Sequence, residues 1–344
     1  MKSVGIIGAS GYTGRHLLQM CNEHTGIEQI TLYGASSAGK TVEDLFPELM
    51  GVVANLTILP MTELSYIHDA YFLALPHGES LSVVPELYHS GKVIIDLGGD
   101  YRLNSAELYQ KWYGKEHTSE ELLDKKVYGL IDDKKVDYTG KTLVANPGCY
   151  PTATLLSLLP MVDTFGEIIE SINVSAYSGT TGAGKSPKAD LLLSEMYGNA
   201  AAYNVHGHRH SPEIYQHLQF HNYSGEFSFV THLLPVATGI YTTSFINLKS
   251  EISESDLTEF YTEYFKDSLY VRVRKIPPRL TWVVATNYCD ISVSVDRRSV
   301  IVTAAIDNLV KGAAGQAMQN FNKIFGFEES AGIGKKGNSY VQDY

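Results

Sequence analysis

A cysteine at the start of a predicted helix is the residue of this sequence best placed to do covalent chemistry. Cys149 lies in "VANPGCYPTA", residues 144–153, directly after an Asn-Pro-Gly turn. A helix N-terminus lowers the pKa of a thiol and so favours the nucleophilic thiolate. Most cysteines are instead buried and inert, and Cys21 in a predicted helix and Cys289 in a predicted strand fit that role. A Gly-Cys turn is poor core material, so Cys149 is our candidate nucleophile.

A histidine-rich segment supplies candidates for acid–base chemistry. The segment "HGHRHSPE" offers two imidazole rings and one cation, namely His208, His210 and Arg209. They stand just before a Ser-Pro pair, which is typical of a helix start. A histidine here could exchange protons beside the thiol, and the arginine could bind an anion. The alternative is an ordinary solvated loop. This segment is also the only metal-like signal, and it lacks a nearby cysteine or second histidine pair, so we predict no metal site.

Two glycine clusters indicate different ligands. "SGTTGAGKSP", residues 178–187, matches the triphosphate-loop pattern G-x-x-x-x-G-K-S, whereas "GIIGASGYTG", residues 5–14, indicates a dinucleotide. In the second cluster Gly8, Gly11 and Gly14 follow a predicted strand and open a helix, where backbone N–H groups can approach a pyrophosphate. The spacing is G-x-x-G-x-x-G and not G-x-G-x-x-G, so the motif alone is weak and an ordinary glycine-rich turn is its alternative.

The triphosphate-loop pattern stands in the wrong context. In that fold the loop follows the first strand and the magnesium-binding Asp comes later in the chain. Here the best candidate, Asp96 in "VIIDLG", lies upstream of the loop. A nucleoside triphosphatase is therefore a remote alternative, although Lys185 and the glycines could cradle a different phosphate.

The loop after the second predicted strand favours NADP over NAD. Folds that bind NAD usually place Asp or Glu there for the ribose hydroxyls. The segment "LYGASSAGK" has no carboxylate before Glu43 and instead offers two hydroxyls and a cation: Ser36, Ser37 and Lys40. These groups suit the 2′-phosphate of NADP, and a solvated loop is the alternative.

The surrounding elements predict two domains. Over the first 145 residues, apolar strand-like runs such as "SVGIIG", "IEQITLYG", "DAYFLAL" and "KVIIDLG" alternate with helical segments. This pattern is typical of an α/β, Rossmann-like, doubly wound parallel sheet. After Cys149, strand-like runs such as "GIYTTSFINLK", "YCDISVSVD" and "SVIVTAAID" follow with few helices between them, which predicts an α+β domain with a mostly antiparallel sheet. "NLVKGAAGQAMQNFNKIFG" then predicts a helix that ends at Gly326.

Composition excludes several classes of protein. The chain has 344 residues, 44% of them hydrophobic, and a formal net charge of −11. The negative charge argues against nucleic acid or an anionic membrane as the main partner. No apolar run reaches the roughly 18 residues that a membrane helix needs. The strand-like run begins within residues 1–8, so we expect no signal peptide. Three scattered cysteines predict a reducing cytoplasm and not a disulfide framework.

Together the motifs identify a family resemblance that runs nearly from end to end. The sequence resembles the N-acetyl-gamma-glutamyl-phosphate reductases of arginine biosynthesis in "GASGYTG", "SSAGK", "LPHG", "DLGGDYRL", "NPGCYPT", "SGTTGAGKSPK", "HRHSPE" and "DNLVKGAAGQA". "NPGCYPT" and "HRHSPE" also separate it from the related aspartate-semialdehyde dehydrogenases. The triphosphate-loop pattern falls in the substrate loop of this family. One departure is Thr238 in "VATGI", where the family pattern has Arg, so one anion contact is in doubt.

The resemblance implies a mechanism and a set of site residues. Cys149 would attack the acyl phosphate and form a thioester, NADPH would deliver hydride, and a histidine would handle protons, with His210 favoured for this role and His208 placed on the substrate. The implied substrate-binding residues are Arg102, Asn146, Ser178, Gly179, Lys185 and Arg209. The implied cofactor-binding residues are Gly8, Ser10, Gly11, Tyr12, Thr13, Gly14, Ser36, Ser37, Lys40, Pro76, His77, Asn308 and Gly312.

The resemblance also implies domain bounds, partners and rivals. We expect an NADP-binding domain at 1–148, completed by a C-terminal helix at about 309–344, and a catalytic, substrate and oligomerisation domain at 149–308. The expected partners are a small acyl phosphate or semialdehyde and phosphate, in a homodimer or homotetramer. A close alternative is the acetyl-aminoadipyl phosphate reductase of lysine biosynthesis, because one methylene is worth only ~1–3 kcal/mol of discrimination. A catalytically silent NADP-binding sensor is another alternative, and the Cys and His motifs argue against it.

Overall fold

The computed structural model describes residues 1–252 and 254–334, and the chain forms two compact units. The first unit comprises Met1–Ile131, Lys135–Pro147 and a C-terminal part that begins at Ala313. The second comprises Asp132–Lys134 and Gly148–Gly312. Compared with the boundaries expected from sequence, three short stretches therefore belong to the second unit: 132–134, Gly148 and 309–312. The last ten residues of the expected C-terminal helix, 335–344, lie outside the described residues.

The first unit is built on a seven-stranded parallel sheet, as the alternating strand and helix pattern predicts. Its strands are β1 (Lys2–Ile7), β2 (Ile27–Gly34), β3 (Ile58–Pro60), β4 (Ala70–Leu73), β5 (Val93–Asp96), β6 (Val127–Tyr128) and β7 (Leu143–Ala145). Their order is β3-β2-β1-β4-β5-β7-β6 and every pairing is parallel. The helices of this part are α1 (Tyr12–Glu23), α2 (Val42–Leu45), α3 (Val84–His89) and α4 (Ala106–Tyr113). From β1 the chain adds strands β2 and β3 on one side of the sheet and then, from β4 onwards, on the other side. Ligands of such sheets bind at the point between β1 and β4 where this change occurs.

The second unit holds a mixed sheet that packs on one long helix. Its elements are α5 (Cys149–Phe165), β8 (Ile169–Ser178), α6 (Leu193–Met196), β9 (Ala201–Tyr203), α7 (His210–Phe220), β10 (Glu226–Leu233), β11 (Ile240–Leu248), α8 (Glu254–Tyr264), β12 (Val271–Val273), β13 (Cys289–Asp296) and β14 (Ser299–Ile306). The order is β12-β13-β14-β11-β8-β10-β9. Four of the six pairings are antiparallel, and β8–β10 and β12–β13 are parallel. The predicted fold class, a doubly wound sheet followed by a mostly antiparallel one, is confirmed.

Helix α5 is buried because its sequence is apolar on every side. Thirteen of its 17 residues are buried, from Tyr150 to Val162, and the helix packs on α7 and on the mixed sheet. A helix that is hydrophobic all round belongs in a core and not at a surface. The core therefore fixes the axis of α5 and, with it, the place where Cys149 emerges at the first turn.

The chain then forms a π-helical stretch, Val310–Ala314, and a last helix, α9 (Gly315–Phe325). Helix α9 ends, as the sequence predicts, at Gly326, which adopts φ +70° in the left-handed region. Single-turn 3₁₀ helices complete the structure at Pro47–Leu49, Met61–Glu63, Ser80–Ser82, Glu120–Leu122, Gly166–Ile168, Thr180–Ala183, Ala189–Leu191 and Leu280–Trp282. Among the described residues, no helix is both long enough and apolar enough to cross a membrane.

Candidate active site

The glycine-rich loop after β1 has the geometry of a dinucleotide loop. Gly8 adopts φ +87°, and a Cβ there would lie 2.4 Å from the carbonyl oxygen of Ala74, so only glycine fits. A Cβ on Gly14 would lie 2.6 Å from the carbonyl oxygen of Ala9, which lets α1 begin close against the loop. Gly11 is the N-cap of α1 and, as a glycine, makes no side-chain capping hydrogen bond. The N-terminus of α1 therefore presents backbone N–H groups to an anion such as a pyrophosphate.

The loop after β2 presents the groups expected to recognise a 2′-phosphate. Ser36 and Lys40 are exposed, whereas Ser37 is buried with a relative exposure of 5%. The Ser37 hydroxyl has no hydrogen-bond partner among the described residues. A buried hydroxyl without a partner is rare in native proteins, and a bound ligand is one way to satisfy it. The residues present therefore fit a nicotinamide cofactor with polar groups on its ribose.

The loop after β4 is held in place by a carboxylate. Both oxygens of Asp100 accept the N–H of Gly78, at 2.7 and 2.8 Å, and one also accepts the N–H of Ser80 at 3.1 Å. The His77 ring accepts the N–H of Gly99 through Nδ1 at 3.1 Å. Pro76 and His77 thus lie on an ordered loop at the same edge of the sheet as Gly8, because β1 and β4 are parallel neighbours. The other predicted cofactor residues of the first loop lie at the start of α1 and are partly exposed: Ser10, Gly11, Tyr12 and Thr13.

Cys149 is the first residue of α5 and lies between two close neighbours in the second unit. The N–H of Gly148, the N-cap of α5, donates to Glu213 Oε1 at 2.8 Å. A Cβ on Gly312 would lie 2.8 Å from the Cys149 Cβ, so the backbone of Gly312 packs directly on the cysteine. Cys149 is partly exposed and sits at an uncapped helix N-terminus, which favours the thiolate.

The other two cysteines have the inert character expected of them. Cys21 in α1 and Cys289 in β13 are buried. Burial raises the pKa of both thiols far above the usual value, which suppresses their thiolate forms.

The histidines at the start of α7 belong to an aromatic cluster that includes the residue after the cysteine. The rings of His208 and His210 lie 4.8 Å apart, and the Tyr150 ring lies 5.4 Å from His208 and 6.0 Å from His210. The backbone N–H of His210 donates to His208 Nδ1 at 3.2 Å, and His208 Nε2 is 3.5 Å from the Tyr203 hydroxyl. Burial, followed by the charge of Arg209, lowers the pKa of His208 to about 4, so this ring is neutral at pH 7.

The start of α7 differs from the sequence expectation. The Ser-Pro pair, Ser211 and Pro212, indicates an N-cap at the serine, but the helix begins at His210 and its N-cap is Arg209, whose side chain makes no capping hydrogen bond. The reason is that Pro212 tolerates any position in the first turn, where its missing N–H would have no helical partner. The Ser-Pro pair therefore locates the helix start only to within a turn.

The predicted substrate loop is tied to the loop that contains Thr238. Gly179 and Thr181 donate their N–H groups to the carbonyls of Gly239 and Ala237, both at 2.9 Å. A Cβ on Gly179 would lie 2.5 Å from the Ala237 oxygen and 2.7 Å from the Thr238 nitrogen. Thr238, where the resemblance led us to expect Arg, therefore lies against the predicted substrate loop.

Asn308 joins the same two loops. Its Oδ1 accepts the N–H of Gly239 at 2.7 Å, and its Nδ2 donates to Thr181 Oγ1 at 3.1 Å. The carboxamide is thus used within the second unit, and its predicted contact with the cofactor stays a prediction. The Ser178 hydroxyl donates to the Gly179 carbonyl at 2.8 Å and is buried, whereas Lys185 and Arg209 are exposed.

The local structure does not support the triphosphate-loop alternative. Residues 184–188 contain no helix, and the next helical segments are the 3₁₀ turn Ala189–Leu191 and the four-residue α6. A triphosphate loop leads directly into a helix whose N-terminus binds the phosphates. The preceding strand, β8, also belongs to a mixed sheet and not to a parallel one.

Two predicted substrate residues lie in the first unit and have structural partners there. The Arg102 guanidinium donates from Nε to the Asn146 carbonyl at 2.8 Å and from a terminal nitrogen to the Leu97 carbonyl at 2.6 Å. The Asn146 Oδ1 accepts from Asn320 Nδ2 at 3.0 Å, and its Nδ2 donates to the Ala313 carbonyl at 3.3 Å. Their roles in substrate binding stay predictions.

Two features of the second unit were absent from the sequence analysis. Glu213 follows His210 by three residues, which places both residues on one face of α7, and this spacing was its only signal in the sequence. Asp133, His217 and His221 could hold a metal ion, since each offers one ligand atom and these atoms lie within 4.8 Å of one another. This group is distinct from the segment 206–210, and the i, i+4 spacing of the two histidines was its only sequence signal.

Comparison with known protein families defines the class. Residues 3–144 match the family model "Semialdehyde dehydrogenase, NAD binding domain", and residues 149–308 match "Semialdehyde dehydrogenase, dimerisation domain". The aspartate semialdehyde dehydrogenase II of Vibrio cholerae, solved in complex with ASA, has the same fold, with a TM-score of 0.71 at 16% identity over 94% of this chain and 98% of that one. The aspartate semialdehyde dehydrogenase of Candida albicans, solved with NADP, has a TM-score of 0.64 at 14% identity over 94% and 99%. The fold and the two matches are those of a semialdehyde dehydrogenase, an oxidoreductase with an NAD(P)-binding domain.

Curated relatives define the family within that class. The N-acetyl-gamma-glutamyl-phosphate reductase of Pelotomaculum thermopropionicum is 41% identical over 97% of this chain and 98% of its own length. The reductase of the same name from Methanococcus maripaludis is 40% identical over 97% and 98%. The chain belongs to the N-acetyl-gamma-glutamyl-phosphate reductase family.

Proposed function

We propose that this enzyme reduces N-acetyl-gamma-glutamyl phosphate to N-acetyl-glutamate 5-semialdehyde and phosphate, with NADPH as reductant and a thioester on Cys149 as intermediate. The observation that carries the proposal is the position of Cys149. It is the first residue of a buried helix, it is partly exposed, and α7 with its two histidines packs on that helix. The names of the relatives supply the substrate.

The chemistry proposed for the chain is the one that the family resemblance implies, and these positions support it. The Cys149 thiolate attacks the acyl carbon, the C–O bond to phosphate breaks, and phosphate leaves with that electron pair. The loops after β1, β2 and β4 would hold NADPH, which would supply the hydride that reduces the thioester. A protonated histidine gives its proton to the resulting oxyanion. The same histidine takes the hydroxyl proton back when the hemithioacetal collapses, which returns the thiolate and releases the aldehyde. The N-terminus of α5 stabilises negative charge on the sulfur at both ends of the cycle.

We assign the proton transfer to His210 and a positioning role to His208. His208 accepts the N–H of His210 through Nδ1, so the neutral ring carries its proton on Nε2, which is 3.5 Å from Tyr203. Its pKa of about 4 keeps it uncharged at neutral pH. A general acid or base needs a pKa nearer the working pH, which disfavours His208. His208→Asn should therefore leave more activity than His210→Asn.

The assay that tests the function compares two substrates. In the phosphate-dependent direction, oxidation of N-acetyl-glutamate semialdehyde with NADP should exceed that of the homologue with one more methylene, N-acetyl-aminoadipate semialdehyde. The reverse order of kcat/KM would assign the chain to the lysine-pathway reaction. No turnover of either substrate, with NADP still bound, would support the silent sensor.

We also propose that the enzyme is a homodimer or homotetramer of the cytoplasm. The match of residues 149–308 to a dimerisation domain supports the oligomer. A thiolate mechanism needs a reduced Cys149, which supports a reducing compartment. Light scattering on the purified protein would give the number of chains, and a monomer at micromolar concentration would contradict the oligomer.

A further inference from the structure

A buried cluster of two histidines and two carboxylates lies at the far end of α7 from the proposed active site. His217 is in the last turn of α7 and His221 is its C-cap, so the two rings follow each other by one helical turn. The loop between β6 and β7 contributes Asp133, and α5 contributes Asp163 near its end. His210, at the start of α7, is 11 residues from His221, or about 16 Å along the helix axis. The cluster is therefore separate from the chemistry at Cys149.

The three inner groups converge on one point. His217 Nε2 and His221 Nε2 lie 2.7 and 2.8 Å from the same oxygen, Asp133 Oδ2. The Asp133 and His221 side chains have no exposed surface, and that of His217 is 6% exposed. Two imidazole nitrogens at i, i+4 on a helix with one carboxylate oxygen form a donor set that zinc and similar ions prefer.

A second carboxylate orients one of the histidines. His221 Nδ1 is 2.7 Å from Asp163 Oδ1, and the Tyr264 hydroxyl donates to Asp163 Oδ2 at 2.7 Å. Asp163 thereby places a proton on Nδ1 and directs Nε2 towards Asp133 and His217. Metal-binding histidines in proteins commonly have this outer carboxylate, which fixes the tautomer and makes the ring more basic.

His221 faces a carboxylate oxygen at each of its ring nitrogens. Nδ1 faces Asp163 and Nε2 faces Asp133, whereas a neutral imidazole has only one N–H to donate. A metal ion bound to Nε2 takes the place of the second proton, so that a neutral ring satisfies both contacts.

The distances leave only a small adjustment for an ion. Separations of 2.7 and 2.8 Å are those of hydrogen bonds. A tetrahedral zinc ion at about 2.0–2.1 Å from each ligand atom would hold these atoms roughly 3.3 Å apart. The two distances from Asp133 therefore need to lengthen by only about half an ångström, and all three ligand atoms already lie within 4.8 Å of one another.

We propose that Asp133, His217 and His221 bind one divalent transition-metal ion, of which Zn²⁺ is the natural occupant, with Asp163 as the outer partner of His221. The ion is structural. It joins the end of α7, the loop at 132–134 and, through His221 and Asp163, the end of α5. The two helices that carry His210 and Cys149 at their first residues are thereby linked at their last turns.

The test uses the full chain, without an affinity tag, after removal of metal by a chelator. Titration with Co²⁺ should give visible absorption bands of a tetrahedral site at one equivalent per chain, and Zn²⁺ should displace them. Zn²⁺ should also raise the Tm. In Asp133→Asn and His217→Gln both effects should be lost. In Asp163→Asn the affinity should fall by about 10–100-fold, as for other outer-shell carboxylates.

The matched control is His206→Asn, which removes an exposed histidine outside the cluster. His206 adopts φ +59°, which Asn tolerates. This variant should bind Co²⁺ as the unaltered chain does. If the chelated wild-type chain gives no tetrahedral Co²⁺ spectrum and no Zn²⁺-dependent rise in Tm, the cluster is a hydrogen-bonded network only and the proposal is wrong. It is equally wrong if the spectrum persists in His217→Gln. If a variant does not fold, the wild-type titration alone decides.

Discussion

Glu213 accepts the backbone N–H of Gly148 through Oε1 at 2.8 Å, and this hydrogen bond ties α7 to the residue that precedes the proposed nucleophile. Glu213 is fully buried, and Gly148 caps the helix that Cys149 begins. The bond therefore sets the position of the first turn of α5 relative to the histidines of α7. We regard Glu213 as a positioning residue.

Glu213→Ala should lower both stability and turnover. It removes a buried acceptor of the Gly148 N–H, which costs about 1–3 kcal/mol in the free energy of unfolding. Displacement of the cysteine by even a fraction of an ångström should lower kcat by roughly 10–100-fold. The KM for NADPH should not change, because the dinucleotide loop belongs to the other unit. Steady-state kinetics and urea unfolding measure these effects.

Glu213→Gln is the matched control for that prediction. Its amide oxygen can still accept the Gly148 N–H, so most of the kcat lost in Glu213→Ala should return. If Glu213→Ala has the kcat and the unfolding free energy of the unaltered chain, the hydrogen bond has no positioning role.

Asp96, the last residue of β5, should make the stability of the enzyme depend on pH. Complete burial, with the nearby charge of Asp100, raises the pKa of this carboxyl from 3.8 to about 7, against hydrogen bonds from Ser80 and Gly98 and the charge of Arg102. Between pH 4 and 7 the folded state thus holds a proton that the unfolded state has lost. Stability falls as pH rises through that window, by up to about 1.4 kcal/mol per pH unit, and the contribution is constant above it.

Asp96→Asn tests this sign. The amide oxygen can still accept from Ser80 and Gly98, as Oδ1 does at 2.8 and 2.9 Å, and no ionisation remains. The stability of Asp96→Asn relative to the wild type should therefore be higher at pH 8 than at pH 5, because only the wild type loses stability as the pH rises. Urea unfolding of both proteins at both pH values gives this difference. The same difference at the two pH values would show that Asp96 does not hold the proton.

Lys40 should select NADPH over NADH. Its exposed ammonium stands on the loop after β2, where no carboxylate precedes Glu43. A hydrogen bond to a charged group is worth about 1.5–3 kcal/mol, so Lys40→Ala should raise the KM for NADPH by roughly 10–100-fold. The KM for NADH should change little. Lys111→Ala, which removes an exposed cation on α4 of the same unit, is the control and should change neither value. Equal efficiency of the wild type with both cofactors would refute the assignment.

The sequence predicted those parts of the structure in which local pattern and tertiary context agree. β1, β2, α1 and the strands β11, β13 and β14 follow from strand-like or helical residue patterns and from glycine turns. The segment 79–89 has a helical pattern, but it forms a 3₁₀ turn at Ser80–Ser82 followed by α3 and not one continuous helix. Pro85 explains the break, because proline fits only the first turn of a helix, which therefore starts again at Val84.

Other features depend on contacts that no local pattern carries. The three-residue strands β7 and β9 exist because a neighbouring strand is present to pair with them. The same holds for the site. Cys149 and the histidines were recognisable from residue type and helix position, whereas the bond from Glu213 to Gly148 joins residues 65 positions apart. The cluster at Asp133 joins residues 84 and 88 positions apart.

Cys149 should be the reactive thiol and the site of the covalent intermediate. It is partly exposed at the N-terminus of α5, whereas Cys21 and Cys289 are buried and their thiol pKa values are raised by that burial. A thiol near pKa 8.5 is only a few per cent ionised at neutral pH, and a thiol with a depressed pKa is mostly ionised. Iodoacetamide should therefore alkylate Cys149 well before the other two, and acyl phosphate should protect it.

The variant Cys149→Ser should lose reductase activity by several orders of magnitude and still bind NADPH. The control Cys21→Ala should retain both properties. Mass spectrometry of the enzyme mixed with acyl phosphate in the absence of NADPH should place the acyl group on the Cys149 peptide. An acyl group on another residue, or near-normal turnover by Cys149→Ser, would show that the covalent mechanism is wrong.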